Sequence, residues 1–214
     1  MRDDSLESYL QGTLPVKSNL TKEMEAYAKE HQVPIMEPLS MEFVKQMIRI
    51  KQPENILEIG TAIGYSALRM LEAAPSAHIV TIERDKDRYE DALSNIHKAQ
   101  EENHVDVIFG DALEVTNLVE KKGPYDVLFI DAAKGQYQKF FTLYEKFVPK
   151  GGMIISDNVL FKGYVASTPG ENTRMKKIGE KIRVYNDWLI QQPSFSTTIV
   201  PVGDGVAVSV KEDE

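Results

Sequence analysis

Asp157 and Asn158 follow the apolar run Gly152-Met153-Ile154-Ile155-Ser156, and Asp131 follows a second run, Val127-Leu128-Phe129-Ile130. In an open parallel α/β sheet the carboxyl ends of the strands line the ligand crevice, so two carboxylates and a carboxamide can meet at one sheet edge. Such hard oxygen ligands suit a magnesium-like ion completed by water and substrate oxygens. They accept Mg²⁺ or Mn²⁺ alike. Upstream, Ile56-Leu57-Glu58-Ile59-Gly60-Thr61-Ala62-Ile63-Gly64-Tyr65-Ser66 runs from an apolar strand through a glycine turn into a helix, the pattern of a nucleotide-like cofactor cradle. Gly60 and Gly64 are spaced GxxxG, which is neither the dinucleotide GxGxxG nor the phosphate-binding GxxxxGK, so phosphate binding loses support there.

Two further acids occupy strand ends. Glu83 closes Ile79-Val80-Thr81-Ile82, where an acid can accept hydrogen bonds from both ribose hydroxyls. Asp111 follows Val105-Asp106-Val107-Ile108-Phe109-Gly110 and can meet an adenine amino group. Singly, Glu83 reads equally well as a surface helix cap, Asp111 as an N-cap and the glycines as turn formers. Their order along the chain makes the combination more specific than any member.

The elements that must carry these residues are short. From Ile56 onward, apolar strands near 56–59, 79–82, 105–109, 126–130 and 152–156 alternate with amphipathic helices near 65–74, 85–101, 134–147 and 173–191, the rhythm of parallel βαβ units. Thr197-Thr198-Ile199-Val200-Pro201-Val202, Gly203-Asp204-Gly205 and Val206-Ala207-Val208-Ser209-Val210 read as an antiparallel hairpin at the sheet edge. The seven strands predict a mostly parallel α/β sheet. Before it, Leu6, Tyr9 and Leu10, then Thr21 ahead of Met24, Tyr27 and Ala28, and Ser40 capping Phe43, Met47 and Ile48, predict a helical cap over residues 1–50. At 214 residues and 42% hydrophobic content, one domain is expected, with the α/β core over 51–214. The irregular stretch Val159 to Asn172 can be a substrate-covering lid or a plain connector.

Composition excludes several chemistries. There are no cysteines, so disulfides, thiolate zinc sites and cysteine nucleophiles are out, and His31, His78, His97 and His104 lack metal-ligand spacing. The net charge of −8 argues against a general polyanion-binding surface and confines any nucleic-acid contact to a local patch. Met1-Arg2-Asp3-Asp4 does not open a secretory leader, and no apolar run approaches the roughly 20 residues of a membrane span, so a cytoplasmic protein without membrane contact is expected.

Together, Leu57-Glu58-Ile59-Gly60, Gly64-Tyr65-Ser66, Glu83, Gly110-Asp111-Ala112, Ile130-Asp131-Ala132-Ala133-Lys134 and Asp157-Asn158-Val159-Leu160 resemble the cation-dependent O-methyltransferases, which include catechol and caffeoyl-CoA methyltransferases. Within that group, the compact length and Asp157-Asn158-Val159-Leu160-Phe161-Lys162-Gly163 look like the bacterial tRNA 5-hydroxyuridine methyltransferase branch. The resemblance implies a Rossmann-like class I methyltransferase fold with S-adenosyl-L-methionine as cofactor. It implies that Glu83 holds the ribose, that Asp111 and Ala112 border the adenine, and that Ser66 and Met36 lie against the methionine end. Glu58 and Gly60 would shape the cofactor's bed. Asp131, also near the cofactor, would carry the metal with Asp157 and Asn158. Met36, a methionine between two prolines in the helical cap, is by itself more often simple core packing.

Methyl transfer from a sulfonium is an in-line displacement that needs an ionised oxygen aligned with the methyl carbon. A divalent cation binding two adjacent substrate oxygens meets that need. Lys134, three residues after Asp131, can take the hydroxyl proton, or can be a solvated helix lysine; its match to the family's base position favours the first. A catechol and a 5-hydroxyuridine both offer two adjacent oxygens, so chelation does not choose between them. Lys162 and the stripe Arg174, Lys177 and Lys181 can flank the site, although with Glu180 interleaved such a helix is more often a solvated face, so tRNA is favoured over a small catechol-like compound mainly by the resemblance and only secondarily by the stripe. A non-catalytic cofactor-binding protein would be expected to have lost a metal ligand or Lys134, and a nicotinamide dehydrogenase would need the absent third glycine. The apolar positions of the N-terminal helix suggest a homodimer or a cover for the site.

Overall fold

A computed structural model describes residues 4–166 and 173–212. Three helices precede the sheet: α1 (Asp4–Gly12), α2 (Asn19–Glu30) and α3 (Pro38–Lys51). Thr21 does not start α2. Ser18 caps it, accepting from the Thr21 N–H at 3.1 Å, because a serine in extended backbone just ahead of the first turn meets an orphan donor there. Nor does Ser40 cap α3, which begins at Pro38, a residue that needs no N–H in the first turn. Ser40 is buried within that helix and donates to the Val202 carbonyl.

The expected strands form one seven-stranded sheet. β1 (Asn55–Ile59), β2 (His78–Glu83), β3 (Val105–Phe109), β4 (Val127–Ile130) and β5 (Met153–Ser156) are parallel, and β6 (Phe195–Val200) and β7 (Val206–Lys211) form the antiparallel hairpin, in the order β3-β2-β1-β4-β5-β7-β6. The last strand, β7, pairs with β5, and β6 takes the edge. The parallel sheet with an antiparallel edge is what the strand rhythm predicts, and it is the Rossmann-like α/β arrangement that the resemblance implies. α4 (Tyr65–Leu71), α5 (Lys86–Ala99), α7 (Tyr137–Tyr144) and α8 (Thr173–Leu189) cover the faces, with one short helix, α6 (Thr116–Glu120), that the periodicity did not reveal. The helix expected from 134 starts as a 3₁₀ turn, Lys134–Gln136, before α7. Of the possible lid, residues 159–166 include a 3₁₀ turn at Phe161–Gly163, while 167–172 lie outside the described residues.

Alternating sheet residues separate two cores. Ile56, Phe129 and Ile155 pack with α2, α3 and α4, whereas Leu57, Leu128, Ile130 and Ile154 pack with α7 and α8. A sheet covered on both faces explains why β4 reads Val-Leu-Phe-Ile without a polar break; each of the four is 0% exposed. The N-terminal helices are joined to α4 by a buried ion network in which Lys45 and Arg69 each pair with both Glu42 and Glu72. Removing either acid would leave the buried Lys45 and Arg69 sharing a single counterion. Among the described residues no helix is long and apolar enough to cross a membrane.

The chain switches direction between β1 and β4, and Gly60 makes that closeness possible. Its φ is +104°, and a Cβ there would lie 2.0 Å from the Asp131 carbonyl oxygen. Gly60→Ala is therefore expected to cost about 2–4 kcal/mol through strain and clash, read as a lower urea midpoint. A midpoint within error of wild type would show that the two strand ends can part freely.

Candidate active site

The switch point opens into a cleft of about 350 Å³ at the carboxyl ends of β1, β2, β3 and β4. Gly60 and Ser66 line it from the first strand-turn-helix unit, Glu83 and Asp111 from the next two strand ends, and Met36 from the segment before α3. Ala112, Asp131, Lys134 and Asn158 also line it, whereas Asp157 does not. Met36 is 2% exposed and packs in the core as well as lining the cleft.

Glu58 does not line the cleft. It is fully buried beneath it, accepting hydrogen bonds from Ser66, which does, and from Thr81 at 2.5 Å. Burial pushes its carboxyl up from 4.5 to about 7, against the two hydroxyl donors that favour the ionised form. A folded-state value above the unfolded one gives stability that is fully present below about pH 4 and lost as pH rises through about 7. The urea midpoint of wild type relative to Glu58→Gln should accordingly fall between pH 5 and pH 8. A constant difference would show that Glu58 stays in one protonation state.

Glu83 is not the helix cap its position allowed, because Asp85 caps α5, accepting from the Asp87 and Arg88 N–H groups. Glu83 is instead held by three backbone donors, Ala62 on one oxygen and Arg84 and Asp85 on the other, each at 2.8 Å. This fixes a carboxylate at the cleft wall. Asp111 is not an N-cap, since Val115 precedes α6 and no side chain caps it; its Oδ1 accepts from the Leu113 N–H at 2.9 Å in a turn, and its Oδ2 lies 3.4 Å from Arg84 while the residue lines the cleft. Arg84 was not anticipated, and neither were Tyr65 and Gln136. Tyr65 lines the cleft and donates to Glu25 of α2 at 2.8 Å, tying the helical cap to the site. Gln136 presents a buried Oε1 without a hydrogen-bond partner. Gln136 lies outside every motif run, whereas Tyr65 stands inside Gly64-Tyr65-Ser66, where the sequence gives it no role of its own.

At the ends of β4 and β5, Asp131, Asp157 and Asn158 come together with Lys134. Lys134 Nζ donates to Asn158 Oδ1 at 2.5 Å, and Asn158 Nδ2 donates to Asp157 Oδ2 at 2.9 Å. Asp157 is 1% exposed, and its Oδ1 is buried with no hydrogen-bond partner. Burial raises the carboxyls of both Asp131 and Asp157, and the charge of Asp131 raises Asp157 further. Two desolvated acids with an orphaned oxygen need positive charge, so the donors fit a divalent cation. Among the described residues no three His, Asp or Glu side chains cluster, so the amide of Asn158 must count in the set.

The position of Asn158 depends on the C-terminal turn, which the sequence showed only as a hairpin. Asn158 has φ +57°, and the chain after it is held by the Gly203-Asp204-Gly205 turn: Val159 N–H donates to the Gly205 carbonyl, and Leu160 and Phe161 N–H donate to that of Asp204. Below, the Tyr137 hydroxyl donates to the Asp157 carbonyl at 2.9 Å.

The O-methyltransferase family model matches residues 13–212. A caffeoyl-CoA O-methyltransferase of Medicago sativa is 29% identical over 97% of this chain and 89% of its own length. A Staphylococcus aureus crystal structure, provisionally labelled a caffeoyl-CoA O-methyltransferase, is 36% identical and covers 97% of this chain and 98% of its own, with a TM-score of 0.87. An O-methyltransferase from Bacillus cereus, solved in complex with SAH, is 27% identical, covers 97% of each chain and has a TM-score of 0.82.

Proposed function

The chain belongs to the O-methyltransferase family, and from that premise we propose that it methylates the 5-hydroxyl of 5-hydroxyuridine in tRNA, at the wobble position, giving 5-methoxyuridine. S-adenosyl-L-methionine is the donor. Glu83 binds the ribose hydroxyls, Asp111 and Ala112 border the adenine, and Ser66 and Met36 lie against the methionine end, over a bed shaped by Glu58 and Gly60. Asp131, Asp157 and Asn158 hold Mg²⁺ or Mn²⁺. Once bound, the cation supplies Lewis acidity and a fixed grip on two adjacent substrate oxygens.

Lys134 takes the proton from the substrate hydroxyl. The oxygen then forms a bond to the methyl carbon as the carbon–sulfur bond breaks, leaving S-adenosylhomocysteine. The observation that carries this reading is the meeting of two buried acids, an amide and a lysine beside the cleft at one switch point.

Small catechols are the second reading, favoured by the caffeoyl-CoA relatives, since a caffeoyl group carries two vicinal hydroxyls. Incubating hydroxyuridine-containing tRNA with the protein, S-adenosylmethionine and Mg²⁺ separates the two. A nucleoside 14 mass units heavier, one methyl group in place of hydrogen, supports the tRNA reading. Brisk methylation of catechols with unchanged tRNA reverses it.

We read the whole chain as one cytoplasmic catalytic unit. Leu6, Tyr9 and Leu10 of α1 are 55%, 69% and 40% exposed, an apolar face suited to a homodimer contact.

A further inference from the structure

A second depression adjoins the cleft. It lies between the Lys134–Gln136 turn, the start of α7 and the exposed side of α8, and shares Lys134 with the cleft. Its far wall carries Lys177 and Lys181, which stand one helical turn apart and are both exposed. Lys181 Nζ lies over Gly135, 3.9 Å from where a side-chain carbon would begin, so the ammonium sits directly beside the backbone next to Lys134. Among the described residues neither Lys177 nor Lys181 is within ion-pair distance of a carboxylate. The depression therefore holds three lysines against one acid, Glu180, on a chain whose net charge is −8.

Its floor is fixed relative to the metal-type ligands. Tyr137 bonds to the Asp157 carbonyl at 2.9 Å, and Tyr185 bonds to Ser156 at 2.8 Å, so two rings packed edge-to-face lie between the lysines and the end of β5. A cationic wall held in register with a reacting centre is arranged for an anionic part of the substrate lying next to the group being modified.

We propose that this depression is a phosphate subsite, in which Lys177 and Lys181 bind a phosphate carried by the methyl acceptor while its vicinal oxygens face Asp131, Asp157 and Asn158. The proposal rests on the methyl-transfer reading above and is separable from the choice of acceptor. The phosphate can belong to the nucleotide chain of an RNA or to the coenzyme A of a catechol thioester. Arg174, one turn further along α8, is exposed on the same stripe.

The test uses the full chain and the double variants Lys177→Glu/Lys181→Glu and Lys177→Gln/Lys181→Gln, with thermal midpoints confirming that both fold. Turnover is measured on three acceptors: an anticodon stem-loop containing 5-hydroxyuridine, a catechol CoA thioester and an unphosphorylated catechol. For whichever phosphorylated acceptor wild type methylates, KM should rise about tenfold in the charge-reversed variant and less in the glutamine variant. The dependence of log(1/KM) on log[salt] should weaken by about 1 to 2, as expected when one or two phosphate contacts are lost. Selectivity over the unphosphorylated catechol should fall in proportion. If wild type ignores RNA but the variants lose selectivity for the CoA thioester, the subsite stands and the tRNA reading fails. Unaltered KM and salt slope for every phosphorylated acceptor, or wild-type activity on unphosphorylated catechol alone, would overturn the subsite.

Discussion

Asp157→Ala is expected to lower kcat/KM by about 10³-fold, a loss of roughly 4 kcal/mol in transition-state stabilisation. No substitute is at hand, because the neighbouring polar groups are already engaged: Asn158 with Lys134, and the Tyr137 hydroxyl with the Asp157 backbone. Isothermal titration with Mn²⁺ should show weakened metal binding while S-adenosylmethionine affinity stays within a few-fold, and excess chelator should reduce wild type to the variant's level. The stability readout runs the other way. Asp157 is buried with an unpartnered oxygen beside a second acid, so in chelator Asp157→Asn removes a carboxyl whose ionisation burial and Asp131 oppose. A gain of about 1–2 kcal/mol is expected, or about 2–8 °C in thermal midpoint for a chain of this size. Full activity in Asp157→Ala, or chelator-resistant turnover in wild type, would remove the metal from the mechanism.

Lys134→Ala is expected to cut kcat by about 10²- to 10⁴-fold, the range that a positioned general base contributes. The side chain reaches Asn158 at 2.5 Å and lies 5.9 Å from the centre of the Phe161 ring, so it is held at the reacting edge of the cleft and does not project into solvent. Lys134→Arg distinguishes the base from a mere positive charge. Arginine retains the charge but does not give up its proton in proteins, so it should rescue metal and substrate affinity and not kcat. An arginine variant with near-wild-type kcat would reduce Lys134 to an electrostatic role.

Both residues were legible in the chain itself because each ends, or closely follows, an uninterrupted apolar run. A strand buried on both faces has no polar break until it leaves the sheet, so the first acid after Phe129-Ile130 or Ile155-Ser156 has to stand at the carboxyl edge. The same logic holds for Glu83 at the end of β2, but not for Asp111, because β3 is a half-buried edge strand already broken by Asp106. Local capping was less legible. Thr21 and Ser40 are plausible caps by type, and the true cap of α2, Ser18, lies three residues earlier, where extended backbone lets its hydroxyl reach back to the helix. α6 spans only Thr116–Glu120, too few residues for a period to show.

What the sequence by itself determined is the identity and order of the chemistry: which acids end which strands, where glycine permits a tight turn, and which faces are apolar. These follow from periodicity, a property of neighbours along the chain. Only the tertiary structure decided what each group touches. It joined the turn at Gly203-Asp204-Gly205 to the backbone after Asn158, set Glu58 beneath Ser66, left one oxygen of Asp157 unpaired and brought two lysines of α8 beside Lys134. Those contacts join residues separated by up to 47 positions, from Lys134 to Lys181, and the sheet order that creates them, with β7 inserted between β5 and β6, is a consequence of how the two faces are jointly buried.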